Sequence, residues 1–310
     1  MGSYAYFRKH IVPLEDAKIG IMTHAFNYGT GVFEGIRGNW NAERKQIYLF
    51  KVRDHFERLM KSARTLRIDI EESIDELCNI TVDLVRRSGY QEDVYVRPLA
   101  YKSAEDIGPR VHNLENDLNI FVIPLGAYLD ADAGIRCSTS SWRRVPDSSI
   151  PGRAKVTGIY VNSALAKTEA WDNGCDEAIL LTQEGNVSEG SGENIFLVCD
   201  GKLITPAPSA GILVGITRNT IMDLAEKEFG IQTIERDVPR SELYSADECF
   251  MTGTAAHVTP VIEIDRRAVG DGNPGPITRK LMELYSTIIR GNSDDYHEWC
   301  TAVSPATVAV

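Results

Sequence analysis

Two segments of the chain carry chemically reactive residues where turns or element ends are predicted. Residues 155–162 read Lys-Val-Thr-Gly-Ile-Tyr-Val-Asn, and residues 188–196 read Ser-Glu-Gly-Ser-Gly-Glu-Asn-Ile-Phe. The first segment opens a predicted helix over 156–171, and the second leads into a predicted strand over 195–199. Residues placed on loops by a rigid scaffold commonly carry function, so both segments are candidates for a site.

The elements around these segments predict an α+β fold. Further strands are predicted at 47–50, 94–101, 119–125, 135–138, 177–181, 231–235 and 248–251, and further helices at 217–229 and 277–289. Ser73 and Glu76 form a capping box ahead of a helix that Gly89 ends. Because strands and helices do not alternate regularly, their order favours α+β over a doubly wound α/β fold.

The 310 residues predict about two domains. Residues 126–134, which read Gly-Ala-Tyr-Leu-Asp-Ala-Asp-Ala-Gly, are a candidate interdomain linker. They separate a small N-terminal α/β domain over 1–125 from a larger strand-rich domain with helices over 135–310. The tail over 291–310 has no clear periodicity, so we expect it to be mobile.

Composition argues against several classes of protein. The formal net charge of −11 disfavours nucleic acids and anionic membranes as partners. No apolar run reaches the roughly 18 residues of a membrane helix. The six cysteines form no C-x-x-C pair, so we expect no zinc ribbon and a reducing cytoplasm. The histidines are scattered, and we expect no metal site.

The reactive residues suit pyridoxal 5'-phosphate. A lysine can react with its aldehyde, an acid can face its pyridine nitrogen, and a helix N-terminus can bind its phosphate. Lys155, the acids of 188–196 and a helix start near residue 216 supply these groups. Residue types alone leave the assignment open, because most lysines are solvated surface charges. The two glycine clusters do not fit a dinucleotide motif, since Glu34 and Ile195 replace the third glycine.

Four strings of residues resemble a known family. They lie at 28–37 (Tyr-Gly-Thr-Gly-Val-Phe-Glu-Gly-Ile-Arg), 155–162, 188–196 and 253–260 (Gly-Thr-Ala-Ala-His-Val-Thr-Pro). In this order they resemble the branched-chain amino acid aminotransferases of the class IV, or fold-type IV, pyridoxal-phosphate family. The resemblance covers about residues 4–290. It implies a two-domain fold-type IV architecture and a homo-oligomer, a dimer or higher, in which the 102–112 loop reaches the neighbouring subunit.

The resemblance also implies which residues bind the cofactor. Lys155 would be the Schiff-base lysine and would shuttle the proton of the substrate Cα. Glu189 would face the pyridine nitrogen, with Glu193 as its rival, and Tyr160 would hydrogen-bond the phenolic oxygen. The residues implied for the phosphate are Arg58, Ile216, Thr217 and Thr254, with Arg53 as the alternative to Arg58.

On the substrate side, the resemblance implies one pocket for an aliphatic and an acidic side chain. Tyr95 and the backbone of Thr254 and Ala255 would hold the α-carboxylate. Arg97 would meet the distal carboxylate of glutamate or 2-oxoglutarate. The residues implied for the apolar wall are Tyr28, Phe33 and Tyr128.

The implied activity is transamination between leucine, isoleucine or valine and 2-oxoglutarate. The nearest alternative is a class IV transaminase of D-amino acids or (R)-amines, whose members usually lack Phe33-Glu-Gly-Ile and Tyr95-x-Arg97 together. Aminodeoxychorismate lyase is a third possibility. A catalytically silent binding protein on this fold is a fourth, against which Lys155 and Glu189 argue.

Overall fold

The computed structural model describes residues 2–126, 129 and 132–304. Its strands are β1 (Tyr4–Phe7), β2 (His10–Pro13), β3 (Gly31–Phe33), β4 (Ile36–Asn41), β5 (Gln46–Phe50), β6 (Val94–Lys102), β7 (Asn116–Pro124), β8 (Ile135–Arg143), β9 (Glu177–Leu181), β10 (Val187–Gly190), β11 (Asn194–Cys199), β12 (Lys202–Pro206), β13 (Thr233–Arg236), β14 (Glu248–Gly253), β15 (His257–Ile264), β16 (Arg267–Ala268) and β17 (Cys300–Val303). Its α-helices are α1 (His24–Tyr28), α2 (Val52–Thr65), α3 (Ile74–Ser88), α4 (Tyr160–Asp172), α5 (Ile216–Phe229) and α6 (Pro276–Ile289).

The chain divides into two compact units. Unit 1 contains Met1–Gly126, Ala154–Gly158 and Thr287–Val310, and unit 2 contains Ala127–Arg153 and Ile159–Ser286. Unit 1 therefore includes two short segments from the later part of the chain. One of them carries Lys155.

Unit 1 contains an eight-stranded antiparallel sheet. Its strand order is β17-β5-β4-β6-β7-β1-β2, and β3 pairs with β6 outside this path. Along β6, Val94 and Val96 are buried, whereas Tyr95 and Arg97 are half-buried. Because successive side chains of a strand point to opposite faces, Tyr95 and Arg97 share one face of the sheet.

Helix α3 begins as the sequence predicts. The Ser73 hydroxyl accepts a hydrogen bond from the Glu76 N–H, and the Glu76 carboxylate accepts one from the Ser73 N–H. Gly89 is the left-handed residue that ends the helix. The apolar side of α3 buries Leu77 and Leu84 as the helix packs against α2 and β1. The capping box is confirmed.

Part of the tail, which the sequence analysis expects to be mobile, pairs with the sheet of unit 1. Strand β17 pairs antiparallel with β5, and Thr301 lies opposite Leu49. The carbonyl of Trp299 accepts a hydrogen bond of 2.7 Å from the N–H of Lys51. A four-residue edge strand that buries only Val303 is too short to produce a recognisable periodicity.

Unit 2 contains a nine-stranded mixed sheet. Its order is β10-β9-β8-β15-β14-β11-β12-β13, and β16 pairs with β15. The pairs β8–β9, β8–β15 and β12–β13 are parallel. Helix α4 packs Ala166 and Ala170 against Ala178 and Leu180 of β9. One antiparallel sheet and one mixed sheet, with helices that do not alternate regularly with the strands, confirm the α+β class.

Asp93 connects three segments of unit 1. Its carboxylate accepts hydrogen bonds from both terminal nitrogens of Arg290 at 3.0 Å and from the N–H of Trp40 at 2.7 Å. Nη2 of the buried Arg37 lies 3.6 Å away. Burial raises the pKa of Asp93, but the contacts with Arg290, Trp40 and Arg37 outweigh it, so the pKa is lowered from its ordinary value.

We expect Asp93→Asn to lower the free energy of unfolding by roughly 3 kcal/mol, because it removes the counter-charge of the buried Arg37. A depressed pKa in the folded state stabilises the protein at pH values above the ordinary pKa of about 4. That contribution is lost as the pH falls through the lower, folded-state pKa. Urea unfolding at pH 7 and at pH 3 measures the free energy of unfolding of the variant and of the wild type. The difference between the two proteins should be smaller at pH 3.

The control for this prediction is Asp83→Asn. Asp83 pairs with Arg87 on the surface of α3, and exposed pairs contribute about 0–1 kcal/mol. If Asp93→Asn and Asp83→Asn lowered the free energy of unfolding by similar amounts, the contacts of Asp93 would not stabilise unit 1 more than an exposed ion pair does.

Candidate active site

Lys155 lies in an irregular segment of unit 1 and is half-buried. Its N–H donates to Ser62 Oγ at 3.2 Å, and its carbonyl accepts from the N–H of Phe33 at 3.0 Å. Both main-chain groups of Lys155 are therefore bonded to other parts of unit 1. These bonds determine where its side chain begins.

The segment after this lysine is held by further backbone contacts. Val156 forms a β-bridge with Val32, and the Gly158 N–H donates to the Gly29 carbonyl at 3.3 Å. Gly29 has φ of 65°, and a Cβ there would lie 2.8 Å from the Gly158 Cα, so glycine is required where the two backbones meet. Because these bonds replace helical ones, α4 begins at Tyr160 rather than at Val156 as predicted.

Phe33, Tyr95 and Arg97 form one cluster beside Lys155. The guanidinium carbon of Arg97 lies 4.3 Å from the centre of the Phe33 ring, and Arg97 Nη2 donates to the Tyr95 hydroxyl at 2.8 Å. Lys155 Nζ lies 5.1 Å from the centre of the same Phe33 ring. A Cβ on Gly35 would collide with the Tyr95 ring. The fold thus brings together four residues that the sequence analysis predicts for the site.

Arg58 is bonded to a buried carboxylate. Its Nε and Nη2 donate to the two oxygens of Glu34 at 2.7 and 2.8 Å, and His55 Nδ1 lies 2.7 Å from Glu34 Oε2. Burial raises the pKa of Glu34, but Arg58 and His55 outweigh this effect and hold it well below its ordinary value. Burial lowers the pKa of His55. A neutral His55 therefore donates its Nδ1 hydrogen to an ionised Glu34.

Arg53, the alternative to Arg58, lies on the outer side of α2. More than half of its side chain is exposed, and it pairs with Asp75 at the start of α3. Such a pair is easily exchanged for water. Of these two arginines, Arg58 is the one whose guanidinium the fold orients.

Tyr28 ends α1, and its ring is partly exposed. Its hydroxyl accepts a hydrogen bond of 3.0 Å from the Gly108 N–H, and His24 Nε2 donates to the Gly108 carbonyl at 2.9 Å. Tyr28 therefore contacts the middle of the 102–112 loop. Tyr128, predicted for the same apolar wall, lies outside the described residues.

In unit 2, the carboxylate of Glu189 is held by three donors. Arg144 Nη2 lies 2.9 Å from Oε1, and the Leu213 N–H and the Asn194 amide donate to Oε2 at 3.0 and 3.1 Å. The side chains of Arg144 and Glu189 are only 6% and 8% exposed. A guanidinium so close to a buried carboxyl group favours its ionised form.

Glu193, the rival of Glu189, has a different environment. Burial, followed by the charge of the buried Glu177, raises the pKa of Glu193 to about 8. Lys167 opposes this rise, but its Nζ is bonded to Glu177 at 2.5 Å. The protonated form of Glu193 is therefore favoured. Of the two glutamates, Glu189 is the one whose carboxylate pairs with a guanidinium.

The start of α5 offers backbone N–H groups to an anion. The helix begins at Ile216, and its N-cap is Gly215. Glycine has no side chain with which to cap the first turn, so these N–H groups are suited to a phosphate. Thr217 follows in the first turn, is buried, and lies with its hydroxyl 3.5 Å from that of Tyr285.

The other predicted residues of unit 2 also lie at element ends. Thr254 and Ala255 occupy the turn between β14 and β15, and both are half-buried. Tyr160 is the first residue of α4 and is half-buried. These positions leave the polar groups of all three residues partly accessible.

The side chains of residues 2–126, 129 and 132–304 form no evident metal site. Within these ranges, no group of three or more histidine, cysteine, aspartate or glutamate side chains could hold a metal ion. None of the helices in the same ranges is long and apolar enough to cross a membrane.

Sequence reasoning misses three residues that orient the predicted groups: Glu34, His55 and Arg144. Glu34 stands within the 28–37 string, but nothing local shows that it bonds to Arg58. Glu34 directly follows the apolar pair Val-Phe of β3. This position next to a buried strand is the one signal that could have indicated that Glu34 is buried. His55 and Arg144 have no such signal, because their partners lie far away in the chain.

Comparisons with known proteins identify the family of the chain. The family model for amino-transferase class IV matches residues 31–264. A probable branched-chain-amino-acid aminotransferase of Aquifex aeolicus is 51% identical over 97% of this chain and 96% of its own length.

Solved structures of similar proteins match over nearly the whole chain. The branched-chain aminotransferase of Thermoproteus uzoniensis with norvaline has a TM-score of 0.93 and 46% identity, and the match covers 98% of this chain and 100% of that one. The T.th. branched-chain amino acid aminotransferase complexed with N-(5'-phosphopyridoxyl)-L-glutamate has a TM-score of 0.92 and 42% identity, over 98% and 99% of the two chains. The chain therefore belongs to the class IV amino-transferases and to the branched-chain-amino-acid aminotransferases among them, and it is a pyridoxal-phosphate-dependent transaminase.

Proposed function

We propose that the chain transfers amino groups between L-leucine, L-isoleucine or L-valine and 2-oxoglutarate, giving branched 2-oxo acids and L-glutamate. The observation that carries this proposal is the cluster in which Arg97 lies against Phe33 and bonds to Tyr95. An aromatic ring offers an aliphatic side chain an apolar surface, and the adjacent guanidinium offers an acidic side chain a counter-charge. The norvaline and glutamate compounds bound by the two structural relatives support this pair of substrates.

The donor groups fit pyridoxal 5'-phosphate. Lys155 supplies an amine, Glu189 an ionised carboxylate for the ring nitrogen, and Arg58 an oriented guanidinium for the phosphate. When bound, the cofactor supplies an aldehyde that takes up the amino group and a ring that withdraws electrons from the substrate Cα. The further contacts that we propose are Tyr160 to the phenolic oxygen, and Ile216, Thr217 and Thr254 to the phosphate.

The chain's own residues then bind the substrate and move its proton. Tyr95 and the Thr254–Ala255 backbone hold the α-carboxylate, and Lys155 Nζ moves the proton at the substrate Cα. General acid–base catalysis of this kind contributes about 10²–10⁴-fold. Tyr28 and Phe33 border the side chain of the substrate, and Arg97 binds its γ-carboxylate when there is one.

We also propose that the chain forms a homodimer or a larger homo-oligomer in the cytoplasm. Unit 1 exposes several large apolar side chains, among them Ile21, Phe26 and Ile107. Exposed apolar groups of this size commonly mark protein–protein interfaces. The six cysteines are all free, which supports a reducing compartment.

Borohydride treatment of the holoenzyme should attach the cofactor permanently to the peptide that contains Lys155. Peptide mass spectrometry would locate the adduct. Lys167 is the internal comparison, because its Nζ is bonded to Glu177. An adduct on Lys167 would disprove the assignment.

Arg58→Ala should weaken the affinity for pyridoxal 5'-phosphate by about 10- to 150-fold, the equivalent of one charge-assisted hydrogen bond. Titration of the apoprotein with the cofactor, followed by absorbance, measures this constant. Arg53→Ala is the matched control, since it removes an exposed arginine from the same helix. If Arg53→Ala weakened binding and Arg58→Ala did not, the two assignments would have to be exchanged.

The substrate proposal is tested by half-reactions of the holoenzyme with L-leucine, L-glutamate, D-alanine and (R)-1-phenylethylamine. The cofactor spectrum should change rapidly only with the first two. Rapid change with D-alanine or the (R)-amine would favour the alternative class IV activities.

Arg97→Leu should slow the half-reaction with L-glutamate by about 10- to 150-fold, because the γ-carboxylate loses its charge-assisted partner. The half-reaction with L-leucine should change only a few-fold, because an aliphatic side chain gains nothing from the guanidinium. Equal losses with both substrates would mean that Arg97 supports the structure or binds the α-carboxylate.

A further inference from the structure

Arg144 follows the last residue of β8 and is bonded on several sides. Its Nη2 donates to Glu189 Oε1 at 2.9 Å, and its Nε donates to the Gly211 carbonyl at 3.0 Å. Its own N–H donates to the Leu181 carbonyl at 2.8 Å, and its carbonyl accepts from Gln183 Nε2 at 3.1 Å. Both ends of this arginine are therefore fixed, and its guanidinium cannot turn away from Glu189.

Two glutamates four residues apart, Glu189 in β10 and Glu193 just after it, show what this guanidinium does. Glu189 and Glu193 are both at least nine-tenths buried. Glu189 faces Arg144, whereas burial, followed by the charge of Glu177, raises the pKa of Glu193 to about 8. The buried carboxyl group of Glu193, which faces no guanidinium among the described residues, thus favours its protonated form.

We propose that Arg144 is a positioning residue that keeps Glu189 ionised and fixes the direction of its carboxylate, so that the proton shared with the cofactor's ring nitrogen stays on the nitrogen. This inference rests on the proposed role of Glu189. Arg144 acts through Glu189 alone and touches neither substrate nor the reacting carbon. Its contribution therefore belongs to kcat and not to the binding of the amino acid.

The physical argument concerns the proton affinity of one carboxylate. Arg144 and Glu189 together form a neutral pair, so burial imposes little penalty on the ionised form. Without the guanidinium, the buried carboxyl group would take the shared proton from the ring nitrogen. A neutral ring withdraws electrons from the substrate Cα less strongly, so the proton transfer by Lys155 would slow.

The test uses four variants of the holoenzyme, namely Arg144→Met, Arg144→Lys, Glu189→Gln and the double variant Arg144→Met/Glu189→Gln. Arg143→Met is the matched control, because Arg143 is the exposed neighbour at the end of β8. The kcat and KM for L-leucine are measured for each. Infrared difference spectra between Arg144→Met and the double variant report whether Glu189 carries a proton.

We expect Arg144→Met to lower kcat by about 10- to 150-fold, the equivalent of one charge-assisted hydrogen bond, with KM changed less than about threefold. Arg144→Lys retains the positive charge and should recover most of the loss. In the Glu189→Gln background, Arg144→Met should have little further effect, because the two residues act as one unit. The infrared difference should show the carbonyl band of a protonated carboxyl group.

Other results would overturn the inference. If Arg144→Met keeps the wild-type kcat while Glu189→Gln is impaired, the inference about Arg144 fails. The proposed role of Glu189 would survive that result. If the losses of kcat add fully in the double variant, or if Arg144→Lys recovers no activity, Arg144 only supports the fold. Full activity of Glu189→Gln would remove the proposed role of Glu189 and this inference with it.

Discussion

The backbone contact between residues 155–158 and the Gly29–Val32 region is the constraint on which the arrangement of unit 1 depends. Lys155 is bonded through both main-chain groups, to Ser62 and to Phe33. Its side chain therefore begins at a defined place relative to the Phe33 ring. Since Arg97 lies on the same ring, one backbone pairing sets the distance between the Lys155 amine and the residues proposed for the substrate side chain.

Buried carboxylates follow the same electrostatic rule in both units. Glu34 is matched by Arg58, and Glu189 is matched by Arg144. Each pair offsets part of the cost of burying a charge, and each fixes the orientation of its carboxylate. Glu193 has no guanidinium partner within the described part of the chain, and its pKa is raised. The charge state of each glutamate thus follows from its neighbours and not from its place in the string.

The dual specificity that we propose has a simple physical basis. Arg97 is held by the Phe33 ring on one side and by the Tyr95 hydroxyl on another. A guanidinium that lies over the face of an aromatic ring keeps its charge there and leaves other apolar surface nearby. An aliphatic chain can lie on that surface, and a carboxylate can pair with the charge, without any movement of the backbone.

Much of this protein was predictable from local patterns in its sequence. The capping box of Ser73 and Glu76 and the strand at 177–181 are confirmed, because capping and burial are encoded within a few residues. The 28–37, 155–162, 188–196 and 253–260 strings together identify the family. They also contain most of the residues proposed for the site, since chemistry requires particular residue types at particular spacings.

Tertiary structure alone decided the start of α4, the edge strand β17 and the partners of Glu34 and Glu189. In each case the deciding bond joins residues that are distant in the chain. Val156 bonds to Val32 instead of continuing a helix, and Arg144 reaches Glu189 only because β8 and β10 both pair with β9. A sequence determines local periodicity and residue type by itself, whereas the charge and direction of a buried group depend on contacts that exist only after the chain has folded.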